Sequence, residues 1–240
     1  MRDHPTAAIL TIGSELVSGD IENTNASWLA RRLERLGVVV RLLAAVPDEI
    51  ETIAELVRRE AARVELVIVT GGLGGTPDDV TREAVAAAFG VPQEEHAEVA
   101  ERLRARFTRA PDYAASWALL PAGARPLEIP RGGAPGFVIE NVYVLPGLPG
   151  EMEPMFESIE DELRRERPIE SWRRTFPTRE SEITPLLVEA ARRYPDVRVG
   201  SYPTFTADGP LVEVVVKSGD AEVLAQVRGW LEPELEALIG

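Results

Sequence analysis

Apolar and polar positions divide the first half of the chain into alternating strands and helices. Residues 8–12, Ala-Ile-Leu-Thr-Ile, make an apolar run that stops at Gly13, as a buried strand does. A polar segment with Ser14, Glu15, Asn23, Thr24 and Asn25 follows. Residues 25–36 then put Trp28, Leu29, Leu33 and Leu36 on one helical face, and Gly37 is a natural stop. Residues 38–43 read as a second strand. A helix begins at Asp48, with Glu51 as capping-box partner and Ile50, Ile53, Leu56 and Val57 on its inner face. Residues 67–69, Val-Ile-Val, run into a glycine cluster, and a helix over 77–89 ends at Gly90. The order β-α-β-α-β-α predicts a parallel sheet covered on both faces.

Residues 93–108 read as a charged amphipathic helix with His96 in solvent. A Pro- and Gly-rich region then carries apolar runs at 127–129, 137–139 and 142–145, read as hairpin strands, with a tight loop at Arg131-Gly132-Gly133. Met155, Phe156, Ile159 and Leu163 recur at helical spacing after Pro149 and Glu151, both good helix-start signals. Arg164-Arg165-Glu166-Arg167-Pro168 marks a boundary. Beyond it the pattern is β-α-β-β-α, with strands near 174–176, 198–202 and 211–216 and helices over 182–193 and 221–238. The expectation is an α/β domain over 1–168, its mostly parallel sheet flanked by helices on both faces, and a small α+β domain over 169–240.

Composition narrows the function classes. The chain has 240 residues, and 45% of them are hydrophobic, enough for a sizeable core. No apolar run is long enough to span a bilayer and no signal peptide opens the chain, so a soluble cytoplasmic protein is expected. There are no cysteines, which excludes disulfides, thiol nucleophiles and Cys-based zinc sites. The two histidines, His4 and His96, lie far apart, so any metal is expected to be held by oxygen, as magnesium is. A net charge of −14 disfavours nucleic acid and anionic membranes as partners. Lys217 is the only lysine, hence the only place for a Schiff base.

The candidate chemistry centres on Thr70-Gly71-Gly72-Leu73-Gly74-Gly75-Thr76-Pro77-Asp78-Asp79. Thr76 reads as an N-cap, Pro77 as the first helical residue, and Asp79 stands three residues after the cap. Glycines beside a helix start bring backbone N–H groups to a phosphate or pyrophosphate. No Gly-Lys-Ser/Thr follows, and the spacing is not G-x-G-x-x-G. Asp78 and Asp79 would repel an anion unless a cation bridges them, which points to a divalent metal; the alternative is that both merely favour the helix dipole. Gly13-Ser14-Glu15 and residues 71–79 both come directly after predicted strands, at the rim where such sheets bind ligands. Asn23 and Thr24 also read as a cap for the next helix. Glu151, taken alone, reads as a dipole-favouring acid.

These motifs together resemble the CinA family of competence/damage-inducible proteins. The resemblance rests on Gly13-Ser14-Glu15-Leu16, Asn23-Thr24-Asn25-Ala26, the glycine loop with Asp78, Asp79 and Thr81, Ala134-Pro135-Gly136-Phe137, and Leu145-Pro146-Gly147-Leu148-Pro149-Gly150-Glu151-Met152. It extends over Glu180-Ser181-Glu182-Ile183 and Gly200-Ser201-Tyr202-Pro203. It implies a molybdopterin-binding-type α/β domain followed by a KH-like domain, in a short form without the family's nicotinamide mononucleotide deamidase domain. Gly75 stands where the family usually has proline, and Arg131-Gly132 departs from the block before Ala134. What the resemblance implies is metal-dependent hydrolysis of a nucleotide pyrophosphate, ADP-ribose first and FAD second, with magnesium the expected ion. Asp78, Asp79 and Glu15 are the expected catalytic residues, with Asp78 on the metal. Ser14, Asn23, Asn25, Gly71, Gly72, Leu73, Gly74, Thr76, Thr81, Pro135, Gly136, Pro146, Gly147, Pro149 and Glu151 are the expected substrate contacts. A homo-oligomer is expected, because related domains associate.

Two readings compete with the hydrolase. One is a protein that binds or adenylylates molybdopterin, which would share the loop and the carboxylates. The other is a non-catalytic nucleotide-binding module, which would bind ligand without forming product.

Overall fold

The computed structural model describes residues 4–127 and 133–239. They form two compact units. The larger comprises Pro5–Leu33 and Val39–Arg164; the smaller gathers His4, Glu34–Val38 and the chain from Arg165 onward.

The chain of the larger unit begins with β1 (Thr6–Ile12), the short α1 (Ser14–Ser18), α2 (Thr24–Arg35), β2 (Val39–Val46), α3 (Ile50–Ala61) and β3 (Leu66–Thr70). Next come α4 (Thr81–Phe89), β4 (Gln93–Glu95), α5 (Ala97–Arg106), α6 (Pro111–Ala115) and β5 (Leu119–Pro121). Its last elements are β6 (Arg125–Pro126), β7 (Phe137–Ile139), β8 (Val142–Leu145) and α7 (Pro149–Leu163). Among the described residues the main sheet has the order β2-β1-β3-β8-β7-β6. The first four strands are parallel, β7 pairs antiparallel with β8, and β6 pairs antiparallel with β7, so the fold is a mostly parallel α/β sheet.

Alternation along β1 sorts its side chains between two faces. Ala8, Leu10 and Ile12 pack in one core with Ile53 and Val57 of α3 and Val85 of α4. Ile9 and Ile68 alternate with that set and are fully buried outside this core; elsewhere in the unit Trp28 of α2 and Phe156 of α7 meet edge to face at 5.5 Å. Arg32 of α2 binds Glu160 of α7 at 2.5 Å. Each aliphatic side chain fully buried in these cores contributes about 1.5–3 kcal/mol.

Two predicted helices start late. Residues 77–80 are not helical, and α4 begins at Thr81. The helix expected over 93–108 is a short strand followed by α5. His96 is half-buried, with its Nδ1 buried and without a hydrogen-bond partner among the described residues, because Val99, Ala100 and Leu103 draw α5 against Ala114, Ala115 and Ala118. The strand residues Glu128 and Ile129 and the Arg131-Gly132 departure lie outside the described residues.

In the smaller unit, β9 (Glu170–Phe176), α8 (Glu180–Arg193), β10 (Arg198–Thr206), β11 (Gly209–Ser218) and α9 (Ala221–Ile239) form an antiparallel sheet of order β10-β11-β9 with two helices. Val212, Val214 and Val216 share one face and pack with Ile183 and Leu187 of α8 and Val227 and Leu231 of α9. Lys217 is half-buried on Glu34 at 2.6 Å, an ion pair that ties down the one lysine. Among the described residues no helix is long and apolar enough to cross a membrane.

Candidate functional site

The strands β1, β3 and β8 end at Ile12, Thr70 and Leu145, and the segments after their C-terminal ends wall one cavity. The chain leaves β1 towards β2 on one side and later towards β3 on the other, so the cavity sits where the strand order reverses, the usual ligand crevice of such sheets. Its volume is about 540 Å³, within the range of small-ligand pockets. Glu15, Glu22, Asp48, Asp78, Asp79 and Glu151 line it, and no lysine or arginine does among the described residues.

The glycine loop is folded by its own groups. Gly71 (φ 106°) and Gly72 (φ 64°) occupy left-handed backbone that other residues adopt only with strain. A Cβ on Gly71 would run into the Ile12 carbonyl, and one on Gly72 into the Thr81 hydroxyl. Thr81 is fully buried, and its hydroxyl donates to Gly71 O at 2.9 Å. Asp79 Oδ1 accepts Gly74 N at 2.8 Å, while Oδ2 accepts Thr76 N at 2.8 Å and the Thr76 hydroxyl at 2.5 Å. Arg82, buried beneath, donates to Leu73 O and Gly74 O. Its pKa is lowered by burial and held up by the Asp79 charge.

The backbone donors of the expected cradle, whose Gly71, Gly72 and Gly74 line the cavity, are divided between internal bonds and free N–H groups. Gly71 N is spent on Leu145 O, and the amides of Gly74 and Thr76 on Asp79. The N–H groups of Gly72 and Leu73 make no hydrogen bond to a described residue, and both residues line the cavity. Asp79 is a fastener of the loop, its two oxygens already engaged. Asp78 is its opposite: fully exposed, with its carboxyl held below the ordinary 3.8 first by the Thr76 hydroxyl and then by its own backbone N–H. The single Thr76 proton serves one carboxylate at a time, so Asp78 shares it with Asp79.

The other expected residues divide in the same way. Glu15 folds back against Gly13, and Glu151, in the first turn of α7, lies against Gly133; both face the cavity. Asn23 Oδ1 accepts Ala26 N at 3.2 Å, as a helix cap does, and Asn23 Nδ2 donates to Thr11 Oγ1 at 2.7 Å. Asn25 Nδ2 donates to Gly147 O at 2.7 Å, which fastens the Pro146–Pro149 turn to the start of α2. Pro146, Gly147 and Pro149 line the cavity. Ser14, Thr76, Thr81, Pro135 and Gly136 do not: Gly136 packs against Met155 and the Val144 carbonyl, and Pro135 is buried beside it.

Asp48, Glu22 and Trp117 also line the cavity, beyond the residues the sequence pattern points to. Asp48 does not cap α3. Its Oδ2 accepts Ser14 N at 2.7 Å, and its own N–H donates to Ser14 Oγ at 3.2 Å. That reciprocal pair joins the ends of β1 and β2. Among the described residues no three Asp, Glu or His side chains converge as a ready-made metal cage. One exposed, ionised carboxylate with others nearby suits magnesium, which takes one or two protein carboxylates and completes its shell from water and ligand phosphate.

Comparisons with known proteins place this architecture. Residues 8–165 match the family described as probable molybdopterin binding domain, and residues 175–239 match the FAD synthase middle domain. The crystal structure of the protein CinA from Thermoplasma acidophilum, itself of unknown function, superposes with a TM-score of 0.62 at 31% identity, over 67% of this chain and 99% of that one. The chain belongs to the CinA family. A protein of Aeropyrum pernix is 40% identical over 99% of this chain and 91% of its own length. A CinA-like protein of Frankia casuarinae is 36% identical over 97% of this chain, which spans 56% of that longer relative. The family expected from the motifs is therefore the one found. All residues lining the cavity fall within the stretch matched to the molybdopterin-type domain of this CinA-family chain.

Proposed function

We propose that the cavity binds a nucleotide pyrophosphate together with a divalent metal and hydrolyses it, ADP-ribose being the first substrate to test and FAD the second. The observation that carries this reading is the pairing, on one rim, of two unengaged amides at Gly72 and Leu73 with the exposed carboxylate of Asp78. Amides of this kind suit phosphoryl oxygens. A cavity lined by carboxylates and, among the described residues, by no cation suits an anion best when a metal accompanies it.

Magnesium held by Asp78, with Glu151 as a further oxygen donor, would neutralise phosphoryl charge and polarise the P–O bond. Gly72 and Leu73 would hold a non-bridging oxygen through their N–H groups. Glu15, folded over Gly13, would accept the proton of the attacking water. Water oxygen joins one phosphorus as the bridging P–O bond breaks, giving AMP and ribose 5-phosphate from ADP-ribose. Asp79 and Thr81 would act only by holding the loop. The net charge of −14 supports a small-molecule ligand over nucleic acid.

The match of residues 8–165 to a probable molybdopterin binding domain favours a second reading, binding of a pterin cofactor without turnover. Incubation with ADP-ribose and magnesium, then cobalt, separates the two. AMP release that Asp78→Ala abolishes supports hydrolysis. Tight pterin binding with ADP-ribose left intact supports the second.

A further inference from the structure

Ile21 and Leu148 are large aliphatic side chains left in water on the lip of the cavity, 57% and 66% exposed. Neither sits on a loose segment. Ile21 N and Asp20 N both donate to Glu15 O. Leu148 O accepts the N–H groups of Glu151 and Met152, so Leu148 caps α7. The bond from Asn25 Nδ2 to Gly147 O holds the two segments side by side. Half-buried Leu16 lines the same cavity. The cavity thus joins a wall of carboxylates and amides to a fixed apolar lip, and covering such side chains is favourable whatever apolar surface covers them.

We infer that Ile21 and Leu148 clamp the planar heteroaromatic ring of the ligand while its phosphate end occupies the glycine loop. The inference rests on the nucleotide reading of the site and adds a specificity element to it. A base or a pterin has flat apolar faces that aliphatic side chains on neighbouring segments accept; a sugar phosphate lacks them. The lip is therefore where the protein tells a ring-bearing phosphate from a bare one.

The test is equilibrium titration, in magnesium, of AMP, a pterin monophosphate and ribose 5-phosphate against the wild-type chain and the Ile21→Ala/Leu148→Ala variant. Both positions are exposed, so the variant keeps its fold. The wild type is expected to prefer a ring-bearing ligand by about tenfold or more. The variant is expected to bring that preference close to one while ribose 5-phosphate binds as before, and Leu148→Phe should keep it. The ring that shows the preference, adenine or pterin, names the ligand class. An unchanged preference in the variant overturns the inference, and a fall in solution mass alongside it assigns the lip to contacts between copies. Release of AMP from ADP-ribose with an unchanged preference sinks the clamp alone. If none of the three phosphates binds, the clamp and the nucleotide reading fall together.

Discussion

The Asp79 carboxylate holds the amide of Gly74 at 2.8 Å, across five residues of loop. One side chain takes the place that a ligand anion was expected to fill, and its neighbour Asp78 is left free for chemistry. The two adjacent aspartates should therefore behave differently. Asp79→Ala strands the amides of Gly74 and Thr76 and removes the charge facing buried Arg82, a loss of about 1–3 kcal/mol in urea unfolding. Asp78→Ala, which gives up only the smaller contribution of an exposed carboxylate, should lower the unfolding midpoint far less than Asp79→Ala and remove activity. Equal stability of both variants would refute the division of labour.

The glycine loop should reject side chains at its first turn. Gly72→Ala forces left-handed backbone and drives a Cβ into the Thr81 hydroxyl, so a cost of about 1–3 kcal/mol from strain alone is expected. Thr81→Val, which fits the space but cannot donate to Gly71 O, should lose about 1 kcal/mol. Thermal unfolding of the two variants measures both.

Asn25 should matter to the ligand through the Pro146–Pro149 turn. Asn25→Ala leaves Gly147 O without its donor and frees the segment that carries Leu148 and Glu151. The expected signature is a rise in KM with kcat changed little, because binding geometry is lost and Asp78 and Glu15 are not. A fall in kcat at constant KM would place Asn25 in the chemical step.

Asp78 should stay charged through mild acid. Its folded pKa lies below 3.8, so it favours the folded state above that pH and loses this contribution as pH falls through the folded value. An acid limb seen at higher pH in the activity profile then belongs to another carboxylate. Thr76→Val removes the first cause of the shift, and a carboxyl NMR titration should show Asp78 moving up towards 3.8; an unmoved Asp78 would contradict the cause assigned.

Local pattern was enough for the parts held by local forces. The apolar runs that became β1, β3, β8 and β11, the amphipathic faces of α2 and α3, and the glycine stops at Gly37 and Gly90 were legible because burial and backbone sterics act over a few residues. The misreadings came from side chains that bond elsewhere. Asp48 looked like a cap for α3, yet it reaches Ser14 at the end of another strand. Thr76 and Asp79 had the spacing of a capping pair, but the carboxylate turned back onto Gly74 and delayed α4 to Thr81. Trp117 reached the cavity from a segment that had shown no periodic signal. Asn23 could be read as a cap or a ligand contact; it bonds Ala26 and Thr11 as a cap does and also lines the cavity.

The central claim is a hydrolytic site built on Asp78. Its most direct test is AMP release from ADP-ribose in magnesium by the wild-type chain and by Asp78→Ala, with the folding of both checked by unfolding midpoint. The account predicts AMP from the wild type and none from a variant that is still folded. Release at the same rate from both proteins, or from neither, would contradict it.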